Sequence, residues 1–451
     1  MKILTTKKQM LVYAISGLGV NMLNLMMGSY LCSALIASGF GEKAIPFQTF
    51  EGHDLVIAAL WATFALIAKI LDGVIDIPMA SFTDRLKTRF GRRRPALVIG
   101  LVPMILAYIL FAAVTPNPEG ATVLNTVFYG IILCVFYSFY TLTMVTYYAT
   151  FTEIVDTTEK RNFISNVKSV CDIAYFILGY VVVRAMLNGM NIRPVALIVL
   201  PLVATMIIPL FMIKEPSTLD GVEEAPETVN LVKSIGCTFK NRDFIIWMVV
   251  YSFMTFGVQL FLGGINEYFS YVGMSMIFVM VSSFAPVPFT LILYNKLIEK
   301  FGFGWAFRYV LVTFTVSMMM LFGFSFLPAG TGKTVASILG GLVASLGIGA
   351  LFSVAYSVPA QLAADEEKKT GISNSAMYFA VQGLFAGVAA GIGTGVVLTA
   401  LKKAVVNGGS AIVYMTLVAS IGAVLAFVFT FILPESVKVM GKGDGKLPKE
   451  D

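Results

Sequence analysis

Histidine is almost missing from this chain: His53 is the single one in 451 residues. Charge is sparse as well, at 13% of residues, and the four cysteines (Cys32, Cys134, Cys171, Cys237) show no metal-ligand spacing. No Ser–His–Asp set, metal cluster or catalytic acid–base pair can be assembled, so the chain does not read as an enzyme. His53 stands in a polar loop, where a solvated residue is the plainer reading than a metal ligand or proton relay. The cysteines read as small apolar fillers without structural disulfides. Apolar–polar alternation is missing too, which argues against an outer-membrane barrel. LGGLVASLGIG (339–349) is glycine-rich, but it has no strand before it and no Lys-Ser/Thr after it. It is therefore not a phosphate loop.

Apolar side chains are abundant: 57% of residues are hydrophobic, and the mean hydropathy is +0.84. No soluble domain of this size needs so much, so the chain reads as an integral membrane protein with the bilayer as its main partner. A span takes roughly 20 apolar residues. Twelve helical spans are expected near 9–37, 54–80, 96–114, 122–151, 162–188, 194–213, 243–270, 273–295, 305–328, 334–362, 371–401 and 411–433, here called helices 1 to 12. The first is too long and continuous for a cleavable signal, and its flank Lys2, Lys7, Lys8 suits a signal-anchor.

The acidic, proline-bearing stretch EPSTLDGVEEAPE lies in a long linker, 214–242. It divides the chain into an N-terminal bundle (1–213) and a C-terminal bundle (243–433), followed by a tail (434–451). Loop charges set an orientation. With the N-terminus inside, the outer loops carry only Lys43, Arg193, Lys333, Lys402 and Lys403, and nearly all other cations fall inside. That asymmetry places both termini in the cytoplasm of a multi-pass protein of the cell inner membrane or plasma membrane. It also explains the net charge of +6 without nucleic acid.

The halves repeat. TDRLKTRFG (83–91) aligns with YNKLIEKFG (294–302) at an offset of 211, and TTEKRNFISN (157–166) with DEEKKTGISN (365–374) at 208. Both matches fall in equivalent interhelical loops. Two parallel six-helix repeats are the arrangement of a major facilitator transporter.

Helix 2 carries the charges that need explaining. Lys69, Asp72 and Asp76 share one face, and Asp76 lies about 12 Å from the loop at Asp84. A charge within hydrocarbon is costly and usually faces a polar cavity. Carboxylates suit a small cation such as Na⁺; a proton is the other candidate, because burial favours the neutral acid. A structural Lys69–Asp72 pair is the plain alternative. Helix 4 adds the hydroxyl stripe Tyr140, Thr143, Tyr147, Thr150, with Thr141 beside it, as cavity lining or as interhelical glue. On helix 5, Lys168 and Asp172 make a ready ion pair, and Arg184 is placed to snorkel outward. In the second half, Glu267 reads as a solvated rim residue. The glycines of helix 11 read as close packing, with a hinge as the weaker reading.

The run Lys69-x-x-Asp72-Gly-x-x-Asp76-x-Pro78, continued by Asp84-Arg85-x-x-x-Arg89-x-Gly91-Arg92-Arg93-x-Pro95, resembles the glycoside–pentoside–hexuronide:cation symporter family. That family includes the melibiose permeases and belongs to the major facilitator superfamily. The resemblance implies that Asp72 and Asp76 contribute to a Na⁺ or H⁺ site joined by Thr141. It implies a sugar-stacking aromatic at Tyr148 and a basic residue at Lys168. It also implies a loop (Asp84, Arg85, Arg89, Gly91, Arg92) that locks the cytoplasmic side. The family's sugar-binding acids on helices 1 and 4 fall on Asn21 and Met144, and a helix-11 lysine on Gln382, so three charged positions are neutral here; Asn21, Tyr148, Lys168 and Gln382 are the substrate-binding positions the resemblance implies. Methionine cannot accept a sugar hydroxyl.

The expected function is cation-coupled symport of a sugar, glycoside or related small solute by alternating access. It needs no cofactor beyond Na⁺ or H⁺ as coupling ion, no nucleic acid, and a monomer. An uncoupled facilitator or exporter of a non-sugar metabolite is the alternative, and a non-transporting sensor is a weaker one.

Overall fold

The computed structural model describes residues 6–37, 48–154, 167–168, 171, 174–219, 241–370 and 375–442. It is almost wholly helical. Among the described residues, nine helices are long and apolar enough to cross a membrane. They include Lys7–Leu35, Arg93–Ala113, Val123–Tyr148 within helix 4, Ile192–Met212 and Arg242–Val272. Helix 8 makes a tenth if the bent pair Met276–Phe284 and Val287–Phe301, at 45°, is one span. Pro286 and Pro288 stand at that bend, where a missing N–H breaks the ladder. Helix 5 is described from Ala174 to Met186. Helix 2 is split into Ala58–Val74 and Asp76–Arg85. Pro78 has no N–H to offer the Val74 carbonyl, so the ladder is interrupted beside the two acids.

Two compact units are present, Met1–Thr228 and Val229–Asp451. In the first, the α-helical run of helix 1 is interrupted at Ser16–Gly17 and clamped there. Thr205 of helix 6 donates to the Ser16 carbonyl (2.9 Å), and Gly19 N–H donates to the Thr205 hydroxyl (3.3 Å). A Cβ on Gly19 would lie 1.8 Å from the Leu202 carbonyl oxygen, so only glycine lets the two backbones approach. On the far side, Tyr13 stacks on Tyr147 of helix 4 at 5.2 Å, and Tyr147 donates to the Tyr13 carbonyl. One end of this unit is closed by loops. Arg193 donates to Glu51 (2.8 Å) and to the Ala112 carbonyl (3.1 Å), with its guanidinium over the Phe50 ring.

In the second unit, helix 7 packs its glycines on helices 11 and 12. Gly263 meets Thr394, Gly264 meets Leu398 and Met415, and Gly257 meets the Ala419 carbonyl. Helices 11 and 12 are joined by a hairpin, β1 Val405–Val406 with β2 Gly409–Ser410, whose Asn407-Gly408 turn has both φ positive. That dipeptide is the usual sequence of a two-residue hairpin turn. Ser410 N–H donates to the Tyr271 hydroxyl at 2.7 Å, tying the hairpin to helix 7.

Two charges are placed otherwise than expected. Glu267 is not a rim residue: it is fully buried and accepts from the Lys402 ammonium at 2.9 Å, with Lys402 3% exposed. Arg184 is buried instead of reaching an interface. The two cations share a local feature. Each comes after a π-helical turn in its own helix, Leu178–Val183 before Arg184 and Ile392–Val397 before Lys402. A π turn adds a residue and so shifts the face on which the later residues of the helix stand.

Candidate functional site

The site in the first unit is built on helices 2 and 4. Thr141 donates its hydroxyl to Asp72 Oδ1 at 3.0 Å, and Lys69 Nζ lies 3.6 Å from Asp72 Oδ2. Both Lys69 and Asp72 are only part-buried, at 20% and 28% exposed. Lys69 Nζ also sits over the Tyr137 ring, 3.9 Å from its centroid, a cation–π position. Tyr137 precedes Thr141 by one helical turn, so the two present one face to Lys69 and Asp72. Asp76 is half-buried at the start of the second helix-2 segment. Among the described residues it makes no hydrogen bond or ion pair, and the charged neighbour acting on it is Asp72.

The hydroxyl stripe of helix 4 divides by role. Thr143 donates to the Phe139 carbonyl, Thr150 to the Tyr147 carbonyl, and Tyr147 to helix 1, so these three serve packing. Tyr140 differs: it donates to Asn21 Oδ1 of helix 1 at 3.3 Å. Asn21 is 8% exposed, and Met144 beside it is buried. Tyr148 is exposed at 37%, with Lys168 of helix 5 over its ring at 5.2 Å. Tyr148 and Lys168 are thus brought together, and Asn21 meets Tyr140, two turns before Tyr148 on helix 4. Asp172 lies outside the described residues.

Gln382 belongs to the second unit. Its Oε1 accepts from Trp247 Nε1 at 2.7 Å, in a buried group with Phe303 and Phe307 against the indole. Trp247 was not expected from sequence; an indole needs a partner when buried, and that need was the available signal.

Between helices 2 and 3, the side chains of Asp84 and Arg85 lie outside the described residues. Arg89 is exposed with its guanidinium over Phe90. Arg92 precedes helix 3, whose Arg93 N–H donates to Glu215 Oε2 at 2.8 Å. Gly91 has φ +84°, and a Cβ there would lie 2.3 Å from Glu215 Cβ. Thr88 and Thr218 bond in both directions at 3.0 Å. The loop is therefore stitched to the chain leaving helix 6. The second unit repeats the device: Gly302 has φ +87°, its Cβ would meet the Lys438 carbonyl, and Phe303 N–H donates to the Met440 carbonyl at 3.0 Å.

Two helical units with charged residues inside their apolar spans fit the arrangement of a membrane transporter of the major facilitator class. The chain belongs to the family described as MFS/sugar transport protein, whose model matches residues 12–433. No curated protein sequence matches it. Among solved structures, the nucleoside transporter NupG is similar with TM-score 0.62 and 15% identity, covering 94% of this chain and 98% of that one. A point mutant of NupG reaches 0.63 at 15% identity, over 95% and 100%. A bacterial homolog of the human lysosomal transporter Spinster, in an inward-facing and unoccupied conformation, gives 0.56 at 10% identity, over 95% and 97%. These likenesses are likenesses of fold.

Proposed function

We propose that this transporter is a cation-coupled symporter of a sugar, glycoside or related polyhydroxylated solute. Both its termini would lie in the cytoplasm, and the protein would stand in the cell inner membrane or plasma membrane. The reading rests on one observation: Asp72 is held by Lys69 and Thr141, while Asp76, one turn further on, makes no such bond among the described residues. A carboxylate in a spanning segment without a partner is expensive unless a cation visits it. The visiting cation favours one conformation over the other, and only that difference in affinity can drive accumulation. Asn21, Tyr140, Tyr148 and Lys168 offer the solute hydrogen-bonding groups and an aromatic face.

Nucleosides are a second reading. A nucleoside presents sugar hydroxyls and a planar base, and the similarity to NupG favours including it. The test is uptake into proteoliposomes of the purified protein, using labelled glycosides and nucleosides under imposed Na⁺ or H⁺ gradients. Accumulation should vanish in Asp72→Asn and Asp76→Asn while counterflow persists. Unchanged accumulation in both variants removes the cation role, and wild-type counterflow indifferent to either gradient favours the uncoupled facilitator.

A further inference from the structure

Arg308 is a cation of the second unit that packing does not account for. Helix 9, Phe303–Ser325, is long and apolar enough to span, and Arg308 stands about 7.5 Å along it. Its Nε donates to the Gly304 carbonyl at 3.0 Å, and its guanidinium lies over the Phe431 ring of helix 12, 4.7 Å from the centroid. These two contacts fix the plane of the guanidinium fork. Among the described residues no carboxylate pairs with it, and the bond from Nε is the one hydrogen bond it makes. The two terminal nitrogens are therefore left to an outside partner. The repeat does not demand a cation here. At the offset of 211 that matches Gly91 with Gly302, Arg308 corresponds to Leu97 of helix 3, which is fully buried.

The surroundings have the chemistry of a membrane–water interface. Phe301, Trp305 and Tyr309 follow one another as neighbouring rings, at 4.7 and 6.3 Å, with the Lys300 ammonium 5.1 Å from the Phe301 centroid. Trp305 is 43% exposed and Phe431 54%. Trp305 and Arg308 are three residues apart and share a face of the helix. A second cation comes from the segment after helix 12. Lys438 lies against Gly304, the residue whose carbonyl holds Arg308: a Cβ on Gly304 would be 3.0 Å from Lys438 Cγ. The Lys438 ammonium is 3.7 Å from Glu435, whose side chain is 77% exposed. Such a solvated pair is weak and leaves the lysine charge open to a better partner.

We propose that Arg308 and Lys438 bind the phosphate headgroup of an anionic phospholipid, with Trp305 and Phe431 against its glycerol and upper acyl chains. The lipid belongs to the leaflet that meets the 8–9 loop. An arginine inside a span is costly until it is paired, and a phosphate at the headgroup level is the anion within its reach. The guanidinium fork matches two phosphate oxygens at once. Aromatic side chains collect at the same level. Two cations against one loosely held carboxylate select an anionic lipid, because a choline or ethanolamine headgroup would bring a further positive charge to the site.

Tryptophan fluorescence can read this site. Of the three tryptophans, Trp61 is 4% exposed and Trp247 is fully buried, so Trp305 is the one open to lipid. The purified full chain is reconstituted in phosphatidylcholine vesicles with rising mole fractions of brominated phosphatidylglycerol or, in parallel, brominated phosphatidylcholine. In wild type the glycerol lipid should half-quench at a mole fraction about fivefold lower than the choline lipid. Arg308→Gln should remove most of that preference, and Arg308→Lys, which keeps the charge but not the fork, should keep part of it. Lys403→Gln, at an exposed cation after helix 11, should leave it unchanged. Lys438→Gln should weaken it too, and carries the test if Arg308→Gln fails to fold. Equal quenching by the two lipids in wild type overturns the inference, as does a full preference in folded Arg308→Gln or Lys438→Gln. Quenching that survives in Trp305→Phe places the lipid elsewhere and overturns it. Relief of the quenching by millimolar inorganic phosphate assigns the site to a soluble anion and overturns the lipid.

Discussion

Glu267 and Lys402 make contact across 135 positions of sequence, buried to the same degree as any leucine of the core. Taking either partner away would strip the other of its opposite charge in a low-dielectric interior. Removing one member of such a pair usually costs about 3–5 kcal/mol, whereas replacing both is often close to neutral. Glu267→Gln and Lys402→Met should each lower the unfolding midpoint of the purified protein strongly. The double variant should recover most of the loss, as a thermal-melt cycle will show. Nothing local announces this pair. Glu267 stands near a helix end and Lys402 near a loop, the usual places for solvated charges. Asp72 and Asp76 are different, because two acids one turn apart inside an apolar run are conspicuous in any linear reading; Thr141 was reached through the family resemblance alone. The Lys69–Asp72 pair was legible for the same reason, as an i, i+3 spacing within one helix. Tyr137 was not, since an aromatic at helical spacing is ordinarily core.

Elements are where the chain departs from simple periodicity. Helix 2 breaks at Ile75 because Pro78 removes a ladder bond, and helices 5 and 11 each take a π turn before a buried cation. The repeat seen in TDRLKTRFG and YNKLIEKFG acquires a physical meaning at its last residue. Gly91 and Gly302 both adopt left-handed φ, and each is pressed on the chain that leaves the last helix of its unit. An L side chain at such a site pays about 1–3 kcal/mol for the backbone alone. Gly52 also has positive φ (+75°) but nothing within 4 Å, so it isolates that backbone cost. Gly91→Ala and Gly302→Ala should therefore destabilise more than Gly52→Ala when the three are compared by thermal unfolding. Equal losses would mean that Glu215 and the 438–440 segment yield freely. The repeat was legible in sequence, but its partners were not. Glu215 and Thr218 fall in a stretch that composition alone reads as the start of an acidic linker.

At the scale of the whole molecule, the prediction that remains is orientation. The distribution of Lys and Arg puts the 2–3 and 8–9 loops inside and the 3–4 and 11–12 loops outside. Lys87, Glu119, Lys300 and Val405 are all exposed, so single cysteines there are open to a membrane-impermeant maleimide. In intact cells, with native cysteines replaced, Glu119→Cys and Val405→Cys should label. Lys87→Cys and Lys300→Cys should label only after permeabilisation, and the reverse pattern would invert the protein.

Hydropathy, loop charge and the helix-2 motif are properties read residue by residue, and they accumulate along the chain. That is why the sequence by itself determined a helical membrane protein of repeated halves, its family resemblance and the two acids of interest. Tertiary structure decided which groups meet: Thr141 and Lys69 on Asp72, Lys402 on Glu267, Glu215 against Gly91. Such meetings depend on how far each helix is rotated about its axis. One proline or one π turn changes that rotation for every later residue of the helix.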